Sequence, residues 1–322
     1  MLERVSPALL GVIFVSAATL APAEPARYPG RTIEIVVAYG AGGSTDLVAR
    51  ALAQKFQDRL GQSVVVLNRP GGSGTIGAGV AARANPDGYT LYVGYTSETV
   101  VVPQLLKNPK YSIDDFEPIA VTGLVPLVLI ASKNVRAGNL QELVAELRAQ
   151  PLKFSYGGGI ASPPHIIGAW FNRLNKLEVT HVPYRGGGQG VADVIGGHID
   201  MFYAGLAAAK AAIDSGAVKA LAVTGDARSS ALPNVPTFKE AGVTDFELAS
   251  WNVLLAPKGT PADVLARLRE ETVLALADPK LRELYAAQGI EMPAVPDVKA
   301  FLVKERDNFG RVVRDLGITM DQ

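Results

Sequence analysis

The stretch Ile33-Glu34-Ile35-Val36-Val37-Ala38-Tyr39-Gly40-Ala41-Gly42-Gly43-Ser44-Thr45-Asp46-Leu47-Val48-Ala49-Arg50 decides the fold. An apolar, β-branched run halts at a glycine-rich turn, and the apolar spacing of Leu47, Ala51, Leu52, Phe56 and Leu60 then reads as a helix. Gly40, Gly42 and Gly43 lack a Cβ, so the loop can curl until successive N–H groups face one point. Unpaired first-turn amides and the helix dipole favour an anion there. A carboxylate or a phosphate suits such a seat equally well, and a tight βα turn with Gly43 or Ser44 as N-cap is the plain structural alternative.

The same unit repeats outward from this stretch. Gly61 is placed to be a left-handed cap on the first helix, and a second strand, Ser63 to Leu67, leads through Asn68-Arg69-Pro70-Gly71-Gly72-Ser73-Gly74 into a helix from Thr75 to Ala84. A third strand, Tyr89 to Gly94, ends at Tyr95-Thr96-Ser97-Glu98, with a helix expected through Leu106. Three βα units in series predict a parallel sheet whose loops share one edge. Ile119 to Ser132, broken by Gly123 and Pro126, reads as an extended crossing into a second lobe. There the opening pattern recurs, with strands at Lys153 to Tyr156, Glu178 to Pro183, Ile199 to Tyr203 and Val218 to Thr224. The loops are Gly157-Gly158-Gly159-Ile160-Ala161 and Tyr184-Arg185-Gly186-Gly187-Gly188-Gln189. Phe246 to Ala256, containing Trp251 as a packing residue, reads as the return crossing, and three helices close the chain. The expected fold is α/β and two-lobed. Residues 28–124 plus 252–322 form one lobe and 125–251 the other, with glycine-rich loops of both facing one cleft.

Bulk properties narrow the function. Residues 1–23 read as a secretory signal: an apolar run from Ala8 to Leu20 precedes Ala21-Pro22-Ala23, and the run is too short to span a membrane. The absence of cysteine removes disulfides, a thiol nucleophile and a lipid-anchored cysteine at the cleavage site. Lys plus Arg and Asp plus Glu both total 31, a balance that argues against a nucleic-acid partner or an anionic membrane surface.

Catalytic and cofactor signals are sparse. Gly72-Ser73-Gly74-Thr75-Ile76-Gly77, with Glu98 at the end of the next strand, has the form of a dinucleotide fingerprint, yet it follows the second strand and sits in an exported chain. No G-x-S-x-G elbow occurs. His165, His181 and His198 lack metal-ligand spacing, so no metal and no cofactor is expected. Asp46 has the look of a general base, but a first-turn acid bonded to neighbouring loop amides, holding the seat in shape, suits an anion site better. No catalytic residue is assigned. An exported hydrolase or oxidoreductase using Asp46, His165 or the Gly72-Gly74-Gly77 loop is the competing reading.

Several motifs in one order carry a resemblance over nearly the whole chain. They are Ala41-Gly42-Gly43-Ser44-Thr45-Asp46, Asn68-Arg69-Pro70-Gly71-Gly72, Asn85-Pro86-Asp87-Gly88-Tyr89-Thr90-Leu91, His181-Val182-Pro183-Tyr184-Arg185-Gly186-Gly187, Leu221-Ala222-Val223-Thr224 and Pro233-Asn234-Val235-Pro236-Thr237. Together they resemble the Bug/TctC family, periplasmic substrate-binding proteins of tripartite tricarboxylate transporters. The resemblance implies a type II periplasmic-binding-protein fold, a monomer that closes on a small carboxylate and delivers it to membrane subunits without itself entering the membrane. It also implies a carboxylate grip at Tyr39, Ala41, Gly42, Gly43, Ser44 and Asp46, with Gly72, Ser73, Gly74, Thr75, Thr96 and Ser97 beside it. The second lobe would add Gly158, Gly159, Ser162, His165, Arg185, Tyr203 and Ala204. Ala38 stands where the family commonly has proline and Arg185 where it has lysine, and Gly159-Ile160-Ala161-Ser162-Pro163-Pro164 replaces a more serine-rich loop. A receptor that reports its ligand to a sensor protein would use the same cleft. Tyr39, Tyr95, Tyr184 and Tyr203 near it hint at an aromatic acid, although tyrosines in α/β sheets usually pack.

Overall fold

The computed structural model describes residues 28–184, 187–246, 248–292 and 294–320; the expected signal segment and Arg185 lie outside them. The first lobe opens with β1 (Ile33–Val37), α1 (Ser44–Leu60), β2 (Val64–Asn68), α2 (Thr75–Ala82), β3 (Thr90–Tyr95), α3 (Val102–Leu105) and β4 (Phe116–Val125). Next come β5 (Leu127–Ala131), α4 (Leu140–Ala149), β6 (Ser155–Gly158), α5 (Pro163–Asn175), β7 (Thr180–Pro183) and α6 (Gly187–Gly196). After these follow β8 (Met201–Gly205), α7 (Leu206–Asp214), β9 (Lys219–Val223), β10 (Ser250–Pro257), α8 (Ala262–Leu276), α9 (Pro279–Ala287) and α10 (Val298–Leu316).

These strands build two five-stranded sheets, β2-β1-β3-β10-β4 and β7-β6-β8-β5-β9. Each has parallel strands on one side, and its fourth strand runs antiparallel to both neighbours. That fourth strand is β10 in the first sheet and β5 in the second, the strands reached by the two expected crossings. Two mixed sheets flanked by helices are therefore what the βα repeats and the two long extended runs predict. The run from Ile119 divides at Pro126, which has no N–H to give a ladder, so β4 stays in the first sheet while β5 enters the second.

Local chemistry explains most of the element ends. Gly61 closes α1 at φ 67°, and its N–H bonds Gln57 O. The helix expected from Ser97 is instead a π-helical turn, Ser97–Val101, followed by the single turn of α3. Such wide turns cluster at functional sites, and this one carries the buried carboxylate of Glu98. Trp251 is a packing residue at the crossing, as expected. It is fully buried, edge-on to Phe301, with its indole N–H given to Glu305.

The dinucleotide-like glycines serve close packing. A Cβ on Gly77 would lie 2.7 Å from Ala38 Cα and 2.8 Å from Arg69 O, both backbone atoms that cannot move aside. Gly77 thus lets α2 sit directly against β1, the demand that a dinucleotide fold places on its third glycine. We predict that Gly77→Ala lowers stability by ~1–3 kcal/mol in urea denaturation, with the m-value unchanged.

Candidate functional site

The glycine loop after β1 is held by one side chain. Gly42 takes φ +88°, a left-handed conformation that a side chain would strain. Its N–H bonds Asp46 Oδ2 at 2.9 Å; the same oxygen accepts Arg50 Nε, and Asp46 Oδ1 accepts Asn68 Nδ2, each at 2.9 Å. Asn68 also donates to Tyr39 O at 3.0 Å, so one amide side chain ties the end of β2 to both ends of the loop. Burial pushes the Asp46 carboxyl up, but the bonds from Arg50, Gly42 and Asn68 outweigh it and hold it below the usual range. The carboxylate has the geometry of a brace.

Beside this loop lies a cavity of about 500 Å³ between the two sheets. Gly42, Gly43, Ser44 and Leu47 line it from α1, Ser162 and Pro164 from α5, Gly187 and Gly188 from α6, and Gly205 to Ala208 from α7. Four helices therefore turn their N-termini towards one space. At α1, α5 and α7 the N-cap residues Gly43, Ser162 and Gly205 make no side-chain capping bond. By contrast, first-turn amides of α4, α9 and α10, which do not line the cavity, donate to the capping side chains of Asn139, Asp278 and Asp297. Helix first-turn amides have no partner within the helix, so those facing the cavity are free to bind an anion. The contribution of α5 is reduced because Pro163 and Pro164 have no N–H and Ser162 Oγ donates to Gly159 O at 2.6 Å. Among the described lining residues none carries a charge; the remainder includes Tyr95, Val125, Leu127, Tyr184, Phe202, Tyr203 and Gln288.

A wider depression of about 990 Å³ runs along the edge strand β4 towards α8. It mixes Arg269 and Arg282 with Glu117 and apolar groups, and the one helix start in it is that of α10, already capped by Asp297. It lacks the free amides of the interlobe cavity.

Of the residues expected at the site, the cavity wall takes Gly42, Gly43, Ser44, Gly159, Ser162 and Tyr203. Tyr39 turns its hydroxyl to Glu98, and Ala41 lies exposed in the loop. Gly72, Ser73, Gly74 and Thr75 form the tight turn into α2, closed by Thr75 Oγ1 to Gly72 O at 2.8 Å. Thr96 is fully buried and exchanges bonds with the Trp251 backbone, while Ser97 Oγ donates across the lobes to Ala161 O at 3.2 Å. Gly158 O accepts Tyr184 N and pairs with His181 Nε2, and a Cβ on Gly158 would strike His165 N at 2.7 Å. His165 lies under its loop: Nδ1 accepts Ala161 N at 3.2 Å, and the ring stacks on His181 at 4.0 Å. Burial and His181 push His165 down to about 4, so it is neutral. Ala204 is buried in β8.

The α7 end was missed in the sequence, although Gly205 ends a strand on the loop edge and begins a helix, the signal used elsewhere. Gln288 follows α9, remote in sequence from every glycine loop, and nothing local marks it. Gly289, at φ +64°, brings that turn against α7, where a Cβ would sit 2.5 Å from Leu206 Cβ. Together with Ser97 and Ala161, this contact closes the cavity between the lobes.

Fold and cavity define a two-lobed solute-binding protein of the periplasmic type. The model of the tripartite tricarboxylate transporter family receptors (TctC) matches residues 48–318, and the chain belongs to that family. Protein BugT of Bordetella pertussis is 34% identical over 315 residues, which span 96% of this chain and 97% of that protein. Rpa4515 of R. palustris, solved with adipate, superposes with a TM-score of 0.81 at 29% identity over 91% of this chain and 99% of its own. MatC (Rpa3494) from Rhodopseudomonas palustris, with bound malate, gives 0.77 at 30% identity, with 89% and 100% covered. Family and fold are those of substrate-binding proteins, not enzymes, which removes the hydrolase and oxidoreductase reading. No helix among the described residues is long and apolar enough to cross a membrane.

Two outcomes follow from the geometry. Asp46→Ala should cost on the order of 1–3 kcal/mol at neutral pH, since Gly42 N and Asn68 Nδ2 lose their acceptor. Because the folded-state value of Asp46 is lowered, the stability gap between wild type and variant should be complete above the ordinary carboxylate range. It should close as acid passes the folded value, as read by denaturation at a series of pH values. Gly289→Ala should wedge Leu206 away and weaken binding of any ligand gripped by both lobes by roughly tenfold, about 1.4 kcal/mol. Small-angle scattering should show the variant more open.

Proposed function

We propose that this protein is an exported receptor that captures a small organic carboxylate in the interlobe cavity and delivers it to the membrane subunits of a tripartite transporter. The observation that carries the reading is the set of uncapped helix N-termini around a cavity whose described lining holds no charged side chain. Backbone amides supply positive potential there. With no described acid in the wall, an ammonium group would enter unpaired, so the site favours carboxylates over amino acids. The carboxylates bound by Rpa4515 and MatC, adipate and malate, support the same class.

On this reading Gly42, Gly43 and Ser44, braced by Asp46, grip one carboxylate. The amides of α6 and α7, with Gly159, Ser162, Tyr184 and Tyr203, face the rest of the ligand, and Arg185 is assigned to the same wall from the sequence. The lobes comprise residues 28–124 with 252–322, and 125–251, hinged at Pro126 and in the chain leading to β10. Residues 1–23 direct export to the periplasm, and the receptor acts as a monomer. Thermal shift and calorimetry against aliphatic and aromatic mono-, di- and tricarboxylates test this reading. We expect at least one member to stabilise the protein by about 2.7 kcal/mol at a hundredfold excess over its Kd, and neutral or cationic analogues to have no effect. A flat response across the panel, or turnover of a member, would overturn it.

A further inference from the structure

Glu98 is fully buried immediately behind the cavity wall. Its Oε2 accepts the Tyr39 hydroxyl, and its Oε1 accepts Tyr92 OH at 2.8 Å and Tyr95 N at 2.6 Å. Tyr95 is itself part of the cavity wall. Tyr111 OH bonds the Glu98 carbonyl at 2.6 Å, and Gly74 covers the side chain so closely that a Cβ would lie 2.7 Å from Glu98 Cβ. The titratable groups facing this carboxyl are thus Tyr39 from the loop after β1, Tyr92 and Tyr95 from β3, and Tyr111 from the connector. The covering turn 72–74 and α2 hold none. On the α10 side, Glu305 is bonded to the Trp251 indole, and Arg306 pairs with Asp114 and Asp307. The carboxyl therefore has four phenols around it and no cation among its bonded partners. Burial pushes it up to about 7, against the pull of its bonds from Tyr39, Tyr95 and Tyr92.

A path leads from this group to the opposite lobe. Burial and Glu98 push the Tyr39 hydroxyl well up while the neighbouring Ser97 side chain pulls it down, and Ser97 Oγ donates to Ala161 O. We propose that anion capture is coupled to uptake of one proton by Glu98, which acts as a positioning residue through Tyr39 and Ser97 on the interlobe contact at Ala161. The inference rests on the receptor reading above. Two effects drive the coupling in the same direction. A carboxylate entering the cavity repels an ionised Glu98 behind the Tyr95 wall, so solvent gives Glu98 a proton as the ligand binds. Protonated Glu98 then donates to the Tyr39 oxygen and Tyr39 donates to Ser97, leaving the Ser97 hydrogen committed to Ala161 O. Ionised Glu98 takes the Tyr39 hydrogen instead, and Ser97 is divided between two acceptors.

The sign follows from linkage. Binding raises the Glu98 value, so affinity is highest where the free protein already holds the proton. It falls as pH rises from about 7 towards the bound-state value, by at most tenfold per pH unit for one proton. His165, held near 4, titrates below this window.

Calorimetry of the wild-type protein with adipate and with malate, near pH 7.5 in HEPES and in Tris, reads the proton directly. We expect a buffer-dependent enthalpy that corresponds to uptake of up to one proton per ligand. We also expect a Kd that rises about tenfold between about pH 7 and pH 8.5. In Glu98→Gln both effects should vanish while binding persists, and in Ser97→Ala the proton uptake should remain. Binding with the same enthalpy in both buffers and a Kd independent of pH overturns the coupling and leaves the receptor reading intact, whether or not the glutamine variant folds. Failure of every carboxylate to bind overturns the receptor reading and the coupling together.

Discussion

A helix that starts at a cavity presents several backbone N–H groups that its own carbonyls cannot satisfy. The rest of this molecule depends on that constraint. Three of the helices pointing into the cleft lack a side-chain cap, so their remaining first-turn amides are left to solvent or to whatever enters the space between the lobes.

The sheets explain how so many helix ends meet. In each, parallel strands carry the chain towards the cleft, every loop emerges on the same edge, and the following helix starts there. The antiparallel fourth strand of each sheet belongs to a segment that has come from the other lobe. The contacts of Ser97 with Ala161 and of Gly289 with Leu206 join the two halves beside the cavity.

Much of this was legible in the residues. β-Branched runs, glycine loops and apolar helix spacing set out the βα units, and Pro126 marked the crossing. The role of Asp46 as a brace was readable because an acid at the first turn of a helix would otherwise repel the anion that its loop invites. What local pattern could not supply was the partner of each group in space. Glu98 reads in the sequence as a candidate ribose acid, and only the folded chain shows four phenols around it. The Gly72 to Gly77 run imitates a nucleotide fingerprint because a helix packed hard on a strand needs the same missing Cβ atoms whatever ligand follows. Gln288 carries no signal at all, since its place at the cleft comes from the return of the chain after β10.

The close approach of Gly289 to Leu206 also acts as a gauge. Where that turn meets the start of α7, the distance between the two amide-lined walls is set by packing between the lobes at the rim of the cavity. Molecules too short to bridge that gap would leave one wall unanswered however well they suited the other. Selection for length thus rests on side-chain packing at residues 289 and 206, whereas selection for charge rests on the backbone amides of the helix ends.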